Sequence, residues 1–416
     1  MRVLIISKEN DGASIAQQLV REGHSVDMWI KDGEHSKSMR GIISRIDSFR
    51  PFVSKADLII CDSVGFSNNC DLFRRLGKPT LCCNEVGDVL ELDRQRGMKV
   101  AKMVGMAIPE TINCKNVEEA RAIEWTNEWG YVIKPAGNLH TGSTYVCPEK
   151  ELYDWALNQF KPEQEFIIQA VIDPSTTVEV STEGWFNGVD WIQPFNHTFE
   201  EKRFMVGNLG SMTGCMGNVV IPLREPTKLV RESVMLMAPV LKKAGYRGPI
   251  DVNCLVTKEH AFALEFTCRF GYDAIDALMC GMKAPVGGFL FELATGIAKT
   301  ISLNGYDYLM AVRVSHFPYP TRMKDKGYED GPVLGIKDIG KDIYLSAMYK
   351  KGDQYLSSGA DGTLCKVVAH GRDVRETSRR CYDKVHKLVA MDLQYRTDIG
   401  GRVEKDMSRL KEWGWL

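Results

Sequence analysis

The chain has 416 residues, of which 44% are hydrophobic and 26% are charged, and its formal net charge is −1. These values predict a globular protein with two or three hydrophobic cores, and they give no electrostatic reason to expect a nucleic acid or an anionic membrane as partner. The apolar run that opens the chain is too short for a signal peptide, and no eighteen apolar residues follow one another. We therefore expect a cytoplasmic protein that does not enter a membrane.

Twelve cysteines are spread along the chain, and none of them forms a CxxC pair. Disulfides are rare in a reducing compartment, where free cysteines usually behave as small buried hydrophobic residues. We therefore expect neither a disulfide framework nor a zinc site.

Short apolar runs alternate with helical stretches in the first quarter of the chain. They cover Val3–Ile6, Val26–Ile30, Leu58–Cys61 and Thr80–Cys83. This alternation is typical of a parallel α/β domain, which we expect to span residues 1–105. Residues 106–320 carry most of the polar motifs, and residues 321–416, with one further strand and an amphipathic helix, are expected to form a third unit.

Two lysines are candidates for binding the phosphates of a nucleotide. Lys134 ends an apolar strand and precedes a loop that contains the candidate contacts Gly137, His140 and Gly142. A strand lysine followed by a glycine loop and a second strand indicates a hairpin that covers phosphates. Lys99 lies in a helical segment with an apolar face that it does not share, and taken alone it would be surface charge.

The strand over residues 166–171 is a candidate for pairing its backbone with the edge of an adenine ring, with Gln169 and Val171 at its end. Glu179, which follows it, is a candidate ligand for a ribose or a metal. None of these residues alone indicates a nucleotide site, and the prediction depends on their order along the chain.

The stretch over residues 200–217 joins the cations Lys202 and Arg203 to a loop with four glycines. Glycines let a backbone approach a ligand closely and adopt positive φ, which is typical of a substrate-binding loop. A mobile surface hairpin would show the same glycines. The loop by itself leaves both interpretations open.

Two alternating segments further along predict an antiparallel hairpin. Asp251 and Asn253 share one face of the first strand, and Glu265, Thr267 and Arg269 share one face of the second. Oxygen ligands beside an arginine suit Mg²⁺ and a polyphosphate, because Mg²⁺ takes few protein oxygens and completes its shell with water and phosphate. The alternative, a solvated face, conflicts with the apolar residues that flank these positions.

The order of these motifs resembles the ATP-grasp superfamily and, within it, the phosphoribosylamine–glycine ligase family. That family carries the pattern D-H-K-R, two residues, and D-x-D-x-G-P-N-T-G-G-M-G, and residues 200–217 have the same length with seven positions in register. Glu179–Gly188, Glu265–Gly271 and Tyr395–Gly400 match three more family segments, of which the last two read E-F-N-x-R-F-G and Y-R-x-D-I-G. Four matches in the right order make the resemblance specific.

The resemblance implies an α/β ATP-grasp enzyme. It would consist of an N-terminal parallel α/β domain at 1–105, a central ATP-grasp domain at 106–320 with a nucleotide-covering part at about 119–188, and a small C-terminal α+β domain at 321–416. The cofactors would be ATP and Mg²⁺, with Mn²⁺ as an alternative. The partners would be small molecules, namely an amino acid and an amine, and the protein would be a monomer or a homodimer.

The resemblance also implies roles for individual residues. The catalytic cations would be Arg269, Lys202 and Arg203. ATP would be held by Lys99, Lys134, Gly137, His140, Gly142, Gln169, Val171 and Glu179. The substrate would contact Asn208, Gly210, Thr213, Gly214, Met216 and Gly217. The metal ligands would be Glu265, Asn253 and Thr267.

The implied reaction is the ATP-dependent joining of a carboxylate to an amine through an acyl phosphate, with glycine or a similar amino acid as the acid. The chain departs from the family where the family recognises phosphoribosylamine: Ser7–Ala13 replaces a glycine-rich loop and brings in Glu9 and Asp11. We therefore expect a different amine. An authentic phosphoribosylamine–glycine ligase, a nucleotide-binding pseudoenzyme and a kinase or transferase that stops at phosphorylation are the alternatives.

Overall fold

A computed structural model describes residues 1–136, 144–283, 285–305, 307–321 and 328–416. The predicted nucleotide contacts Gly137, His140 and Gly142 lie outside these described residues. Among the helices within the described ranges, none combines the length and the apolar character that crossing a membrane requires.

The first hundred residues form a parallel α/β unit, as the alternation of elements predicts. Its strands are β1 (Arg2–Ser7), β2 (Ser25–Ile30), β3 (Ser44–Arg45), β4 (Leu58–Cys61) and β5 (Thr80–Leu81). Its helices are α1 (Ala13–Arg21), α2 (Ser67–Arg75), α3 (Glu85–Leu92) and α4 (Arg94–Met103). The sheet order is β3-β2-β1-β4-β5 with every pair parallel. The strand predicted over 80–83 ends at Leu81, because Cys82 and Cys83 have φ values of 57° and 42°, which a strand cannot contain.

A small antiparallel sheet with two helices follows. Its strands are β6 (Thr111–Cys114), β7 (Tyr131–Pro135), β8 (Tyr145–Cys147) and β9 (Phe166–Ala170), in the order β6-β9-β7-β8. Its helices are α5 (Val117–Arg121) and α6 (Lys150–Leu157). The sheet has a hydrophobic core of its own, built around Tyr131, Tyr153 and Phe166. It overlaps the region predicted to cover the nucleotide.

The rest of the chain is organised around one large antiparallel sheet and two hairpins. The strands are β10 (Val178–Asn187), β11 (Trp191–Glu200), β12 (Arg203–Met205), β13 (Leu209–Met212), β14 (Gly217–Pro222), β15 (Arg247–Val256), β16 (Ala261–Thr267), β17 (Tyr308–Ser315), β18 (Ile343–Leu345), β19 (Met348–Lys351), β20 (Gln354–Ser357) and β21 (Thr363–Gly371). The eight-stranded sheet has the order β16-β15-β10-β11-β14-β17-β21-β18, while β12 pairs with β13 and β19 with β20. The sheet continues across the predicted boundary at residue 320, because β17 pairs with β21.

Helices cover both faces of the eight-stranded sheet. They are α7 (Lys228–Arg231), α8 (Ala238–Ala244), α9 (Ala274–Gly281), α10 (Val286–Thr295), α11 (Ile336–Ile339), α12 (Val374–Val385) and α13 (Val403–Glu412). Val312 and Val367 belong to the core that includes α12, whereas their neighbours Ala311 and Val368 belong to the core shared with α9, α10 and the N-terminal sheet. Successive side chains of a strand point to opposite faces, so packing on both sides of the sheet explains why nearly every residue of β21 is buried.

Candidate active site

Three adjacent strands bring the predicted metal ligands together. In the pairing of β15 with β16, Asn253 lies opposite Glu265 and Asp251 lies opposite Thr267. In the pairing of β10 with β15, Ser181 lies opposite Asn253. The antiparallel pairing predicted for this hairpin is confirmed, and its polar positions form one continuous patch next to β10.

Lys202 lies in the middle of a group of carboxylates. Its Nζ is 3.3 Å from Glu179 Oε1, 3.3 Å from Glu265 Oε1 and 3.8 Å from Glu200 Oε2, and its side chain is 18% exposed. Burial opposes the charged form of this lysine, but the three carboxylates outweigh burial and raise the pKa of Lys202 well above its usual value. Lys202 is therefore a fixed cation.

The carboxylates of this cluster differ in how easily they ionise. Lys202 above all, and Lys134 and Arg94 with it, lower the pKa of Glu265 to about 2. Burial raises the pKa of Glu200 to about 7 and that of nearby Glu183 to about 7 as well. One patch thus holds an ionised carboxylate beside two that titrate near neutral pH, and a further cation would release protons from them.

Asn253 offers an oxygen that no described group uses. Its Nδ2 donates to Ser181 Oγ at 3.2 Å, whereas its buried Oδ1 has no hydrogen-bond partner among the described residues. A buried amide oxygen without a partner is costly, and Asn253 lies directly opposite Glu265 in the pairing of β15 with β16. An oxygen-seeking cation fits this set of donors, which supports the predicted metal position.

Lys134 ends β7 close to the same patch. Its Nζ contacts the carbonyl oxygen of Leu264 at 3.4 Å. Burial lowers the pKa of Lys134 to about 8, although the Glu265 carboxylate acts in the opposite direction. A lysine that is only weakly stabilised as a cation gains from a phosphate, so this position suits an anionic ligand.

The other predicted nucleotide contacts have different surroundings. Lys99 is exposed on α4, and it lines an open cavity of about 410 Å³ together with Gln95, Lys102 and Thr111. Gln169 is buried and donates to Thr111 Oγ1, and the backbone N–H of Val171 donates to the carbonyl of Gly130. Gln169 and Val171, which were predicted to lie at an adenine edge, therefore make hydrogen bonds that hold the small sheet together.

Arg269 is clamped to the N-terminal unit. Its Nε donates to Glu91 Oε1 at 2.8 Å, the backbone N–H of Cys268 donates to Glu91 Oε2 at 2.8 Å, and the guanidinium lies 4.2 Å from the centre of the Tyr272 ring. Glu91 belongs to α3, so the helix and the end of β16 are joined by a buried ion pair. The clamp fixes the direction of Arg269, which the sequence motif alone did not reveal.

The glycine loop forms the exposed hairpin β12–β13. Arg203 Nη1 donates to the carbonyl of Gly210 within the hairpin, and Thr213 donates through both its N–H and its Oγ1 to the carbonyl of Lys202. Asn208, with φ of 58°, accepts a hydrogen bond from Arg396. Arg203, Asn208 and Gly210 thus shape the hairpin and do not lie in the carboxylate patch, while Thr213 closes its base next to Lys202.

The last three predicted substrate contacts pack against other elements. A Cβ on Gly214 would lie 3.2 Å from the Tyr272 ring, and one on Gly217, whose φ is 146°, would lie 2.6 Å from the carbonyl oxygen of Ala311. The side chain of Met216 is fully buried. The glycines at 214 and 217 therefore permit close packing beside the site, and Met216 anchors the loop in the core.

Two arginines near the C-terminus, Arg396 and Arg402, support the elements that carry the site. Neither was predicted to have a role. Arg402 donates to the carbonyls of Glu179 and Glu200 at 3.0 and 2.9 Å and pairs with Glu201 at 3.0 Å. Arg396, 2% exposed, pairs with Asp398 at 2.6 Å. Arg396 stands in the recognised Tyr395–Gly400 segment, so that motif was the available signal.

A second ion pair, also removed from solvent, lies just after β16. Arg313 on β17 donates to both carboxylate oxygens of Asp273, at 2.7 and 3.1 Å. Asp273 is fully buried and has φ of 58°. The pair joins the turn after β16 to β17, and nothing in the local sequence predicts a partner forty residues away.

The turn between β1 and α1 is filled by the chain's own side chains. The backbone N–H groups of Lys8, Asn10 and Gly12 donate to Ser63 Oγ, Ser7 Oγ and Asp62 Oδ2 respectively. Burial first, and the neighbouring Asp11 second, raise the pKa of Asp62 to about 7. The N–H of Gly12, which immediately precedes α1 and could attract an anion, therefore already has a carboxyl partner.

The sequence of the chain is similar to those of curated phosphoribosylamine–glycine ligases, and no family model matches it. The relative from Lactococcus lactis is 25% identical over 218 residues, which are 51% of each protein. The relative from Leptospira interrogans is 23% identical over 295 residues, 65% of each protein. The chain thus spans between half and two thirds of these relatives.

Solved structures match over nearly the whole chain. The phosphoribosylamine–glycine ligase of Thermotoga maritima has a TM-score of 0.73 at 19% identity and covers 96% of this chain and 100% of its own. The biotin carboxylase of Campylobacter jejuni has a TM-score of 0.67 at 12% identity, with 99% and 96% covered. The chain therefore has the ATP-grasp fold and is related in sequence to the phosphoribosylamine–glycine ligases, as its four motifs predict.

Proposed function

We propose that this protein is an ATP-dependent carboxylate–amine ligase that activates a small amino acid, glycine first among them, and joins it to an amine that carries no phosphate group. The observation that carries the proposal is the patch on β10, β15 and β16. There Lys202 pairs with Glu265 near Lys134, and Asn253, opposite Glu265, has a side-chain oxygen without a hydrogen-bond partner among the described residues. The relatives' names support the ligase class.

The proposed reaction has two steps. A carboxylate oxygen of the amino acid attacks the γ-phosphorus of ATP, which breaks the bond to ADP and gives an acyl phosphate. The amine nitrogen then attacks the acyl carbon, the bond to phosphate breaks, and the amine loses a proton. Neither step requires a side-chain nucleophile.

The residues of the patch would manage the charge in these steps. Lys134 would bind the phosphates and become fully protonated on doing so, while Lys202 and Arg269 would remain cationic and lower the cost of bringing a carboxylate to an anionic phosphate. Glu265, Asn253 and Thr267 would hold Mg²⁺, or Mn²⁺ in its place, and the bound ion would neutralise charge on the transferred phosphoryl group.

The proposal of a different amine rests on the turn between β1 and α1. A phosphate bound there would need backbone N–H groups, and Asp62 and two serine hydroxyls already accept from three of them. Glu9 and Asp11 would add repulsion. We therefore expect phosphoribosylamine to be a poor substrate or none.

The test supplies ATP, Mg²⁺ and glycine, with and without freshly generated phosphoribosylamine or a panel of amines without phosphate, and follows ADP release and product mass. Amine-dependent ADP release with an amide of matching mass supports the proposal. Efficient formation of glycinamide ribonucleotide would restore the ordinary phosphoribosylamine–glycine ligase activity.

Two other results would move the assignment to a different class. ATP binding without ADP release under any amine and acid would indicate a nucleotide-binding pseudoenzyme. ADP release with a stable phosphorylated acid and no amide would indicate a kinase. The three reactions differ in their products and the pseudoenzyme releases no ADP, so ADP release and product mass, together with a measurement of ATP binding, separate the four functions.

A further inference from the structure

Three buried cysteines meet in the N-terminal unit, away from the carboxylate patch. Cys61 ends β4, Cys70 lies on α2, and Cys83 follows β5. Their Sγ atoms all lie within 4.8 Å of one another, and each residue is at most 1% exposed. We propose that Cys61, Cys70 and Cys83 form a binding site for one thiophilic metal ion, with Zn²⁺ as the ion that suits it best.

The spacing of the three sulfur atoms fits a shared ion. Zinc binds thiolates at about 2.3 Å in a tetrahedral arrangement, which separates neighbouring sulfurs by about 4 Å. The observed limit of 4.8 Å requires only a small contraction around the ion. These sulfurs come from three separate elements, so their convergence is a product of the fold and is invisible in the sequence spacing.

Asp88 on α3 provides a fourth donor. Its Oδ1 lies 3.4 Å from Cys83 Sγ, and its two carboxylate oxygens accept hydrogen bonds from the backbone N–H groups of Gly65 at 2.7 Å and Ser67 at 3.2 Å. Hydrogen bonds of this kind orient a carboxylate that binds a metal. Asp88 contacts Cys83 but does not belong to the group of atoms that lie mutually within 4.8 Å. Its carboxylate would therefore move towards Cys61 and Cys70 to complete, with three thiolates, the four-coordinate shell that Zn²⁺ prefers.

Two polar groups lie beside the cysteines. The backbone N–H of Phe66 donates to Cys83 Sγ at 3.1 Å, and Arg74 donates to the carbonyls of Cys82 and Cys83. A positive charge and an N–H near a sulfur are typical of the surroundings of a thiolate. Binding of the ion would displace the thiol protons.

The backbone directs Cys83 towards the cluster in an uncommon way. Cys82 and Cys83 are consecutive non-glycine residues with positive φ, a conformation that costs free energy. As a result, Cys82 packs in the core that contains α1 and α10, while Cys83 packs with Cys61 and Cys70. A strained turn that delivers one sulfur to two others is consistent with a ligand role.

A bound ion would also fix α3. That helix carries Asp88 and, one turn later, Glu91, whose carboxylate clamps Arg269. The metal would therefore stabilise the unit that positions an arginine of the proposed active site. The metal proposal itself does not depend on which reaction the protein catalyses.

The test measures Zn²⁺ bound to the full chain, kept reduced, after incubation with the ion and removal of the excess. We expect about one equivalent for the wild type, and Co²⁺ in its place should give thiolate-to-metal charge-transfer absorption. Cys70→Ser should lose both signals. Cys365→Ser, which removes an equally buried cysteine on β21 outside the cluster, should keep both.

Asp88→Asn provides a second variant that leaves all three thiols in place, in case Cys70→Ser does not fold. We expect Asp88→Asn to bind Zn²⁺ at least about tenfold more weakly. A chelator should lower the melting temperature of the zinc-loaded wild type, and a lower concentration of the same chelator should suffice for Asp88→Asn. Absence of bound Zn²⁺ in the folded, reduced wild type, or equal binding in Cys70→Ser, would overturn the proposal.

Discussion

The carboxylate patch on β10, β15 and β16 differs from the turn between β1 and α1 in whether its polar groups are already paired. In the patch, Lys202 is shared among carboxylates and the Asn253 oxygen has no partner among the described residues, so a ligand has groups to bind. In the turn, Asp62 already accepts from the N–H of Gly12 at the start of α1. The comparison teaches that the patch offers a ligand an oxygen that no described group uses, whereas the amide just before α1 is already bound by a carboxyl group.

The largest expected effect breaks the patch. Glu265→Gln keeps the shape of the side chain but removes the charge that pairs with Lys202 and would bind the metal. We expect ADP formation to fall about 10³-fold, the loss that follows removal of one strong electrostatic contact in an active site. The measurement is steady-state ADP release.

The matched control for this variant is Glu259→Gln, in the exposed turn between the same two strands. It should retain wild-type activity. Asn253→Asp should also remain active and bind the metal more tightly, because it adds a charge. Full activity in Glu265→Gln would remove this residue from the proposed metal site.

The second effect concerns what supports the patch. Arg402→Met removes the cation that pairs with Glu201 and holds the backbone of Glu179 and Glu200. We expect a loss of about 3 kcal/mol in the free energy of unfolding, since Glu201 would be left buried without its nearest partner. Urea unfolding of the two proteins measures the difference.

Arg375→Met is the control for this loss. Arg375 pairs with Glu404 at 3.4 Å, but its side chain is 86% exposed, and pairs in solvent contribute little. If Arg402→Met lost as little stability as Arg375→Met, Arg402 would contribute no more than an ordinary surface charge.

The third effect concerns nucleotide binding. Lys134→Met should reduce the free energy of ATP binding by about 2 kcal/mol, because one charged hydrogen bond is lost, and should not unfold the protein. Because the pKa of Lys134 is about 8, ATP binding should draw in a proton near that pH, and affinity should fall as the pH rises through 8. Calorimetry in buffers with different ionisation enthalpies measures both.

Lys102→Met, on the exposed side of α4, is the comparison for Lys134. It should change neither the affinity nor the proton uptake. Wild-type affinity in Lys134→Met would exclude this lysine from the phosphate site.

The smallest effect tests the turn. The pKa of Asp62 is raised to about 7, so its contribution to stability is present at low pH and is lost as the pH rises through 7. Asp62→Asn keeps an acceptor for the Gly12 N–H without a charge. We expect this variant to gain on the order of 1 kcal/mol over the wild type at pH 8 and to show no gain at pH 4.

Urea unfolding at the two pH values checks this difference, with Asp353→Asn, whose side chain is 91% exposed, as the control. A wild type and an Asp62→Asn variant with the same pH profile would show that the carboxyl group of Asp62 ionises normally. Asp62 would then carry a full negative charge in the turn, which would repel an anionic substrate and sharpen the contrast with the patch.

Local patterns were enough for much of the fold. Alternation of apolar strands with helices predicted the parallel unit at the N-terminus. The period of two predicted which polar residues share a face of each strand in the antiparallel hairpin, and the structure supplies the register, with Asn253 opposite Glu265 and Asp251 opposite Thr267. The strand ending was missed at Cys82 and Cys83, because positive φ in two cysteines has no signature in the sequence.

The site was only partly predictable for the same reason. The motif pointed to Arg269, but its partner Glu91 lies far upstream in the chain, and the same holds for Arg402 with Glu201 and for Arg313 with Asp273. The glycines of residues 200–217 are compatible with either a substrate-binding loop or a surface hairpin. It forms an exposed hairpin whose tip is held by Arg396 and Asp398.

The sequence by itself determined which chemistry the protein has available, since side-chain type, strand periodicity and motif order are properties of short stretches of chain. Only the tertiary structure decided which charges pair, which amides are already occupied and which cysteines meet. Cys61, Cys70 and Cys83 read separately as three small hydrophobic residues, and packing of β4, α2 and the turn after β5 places their sulfurs side by side. Distances between remote residues depend on how the elements pack, and no local pattern encodes them.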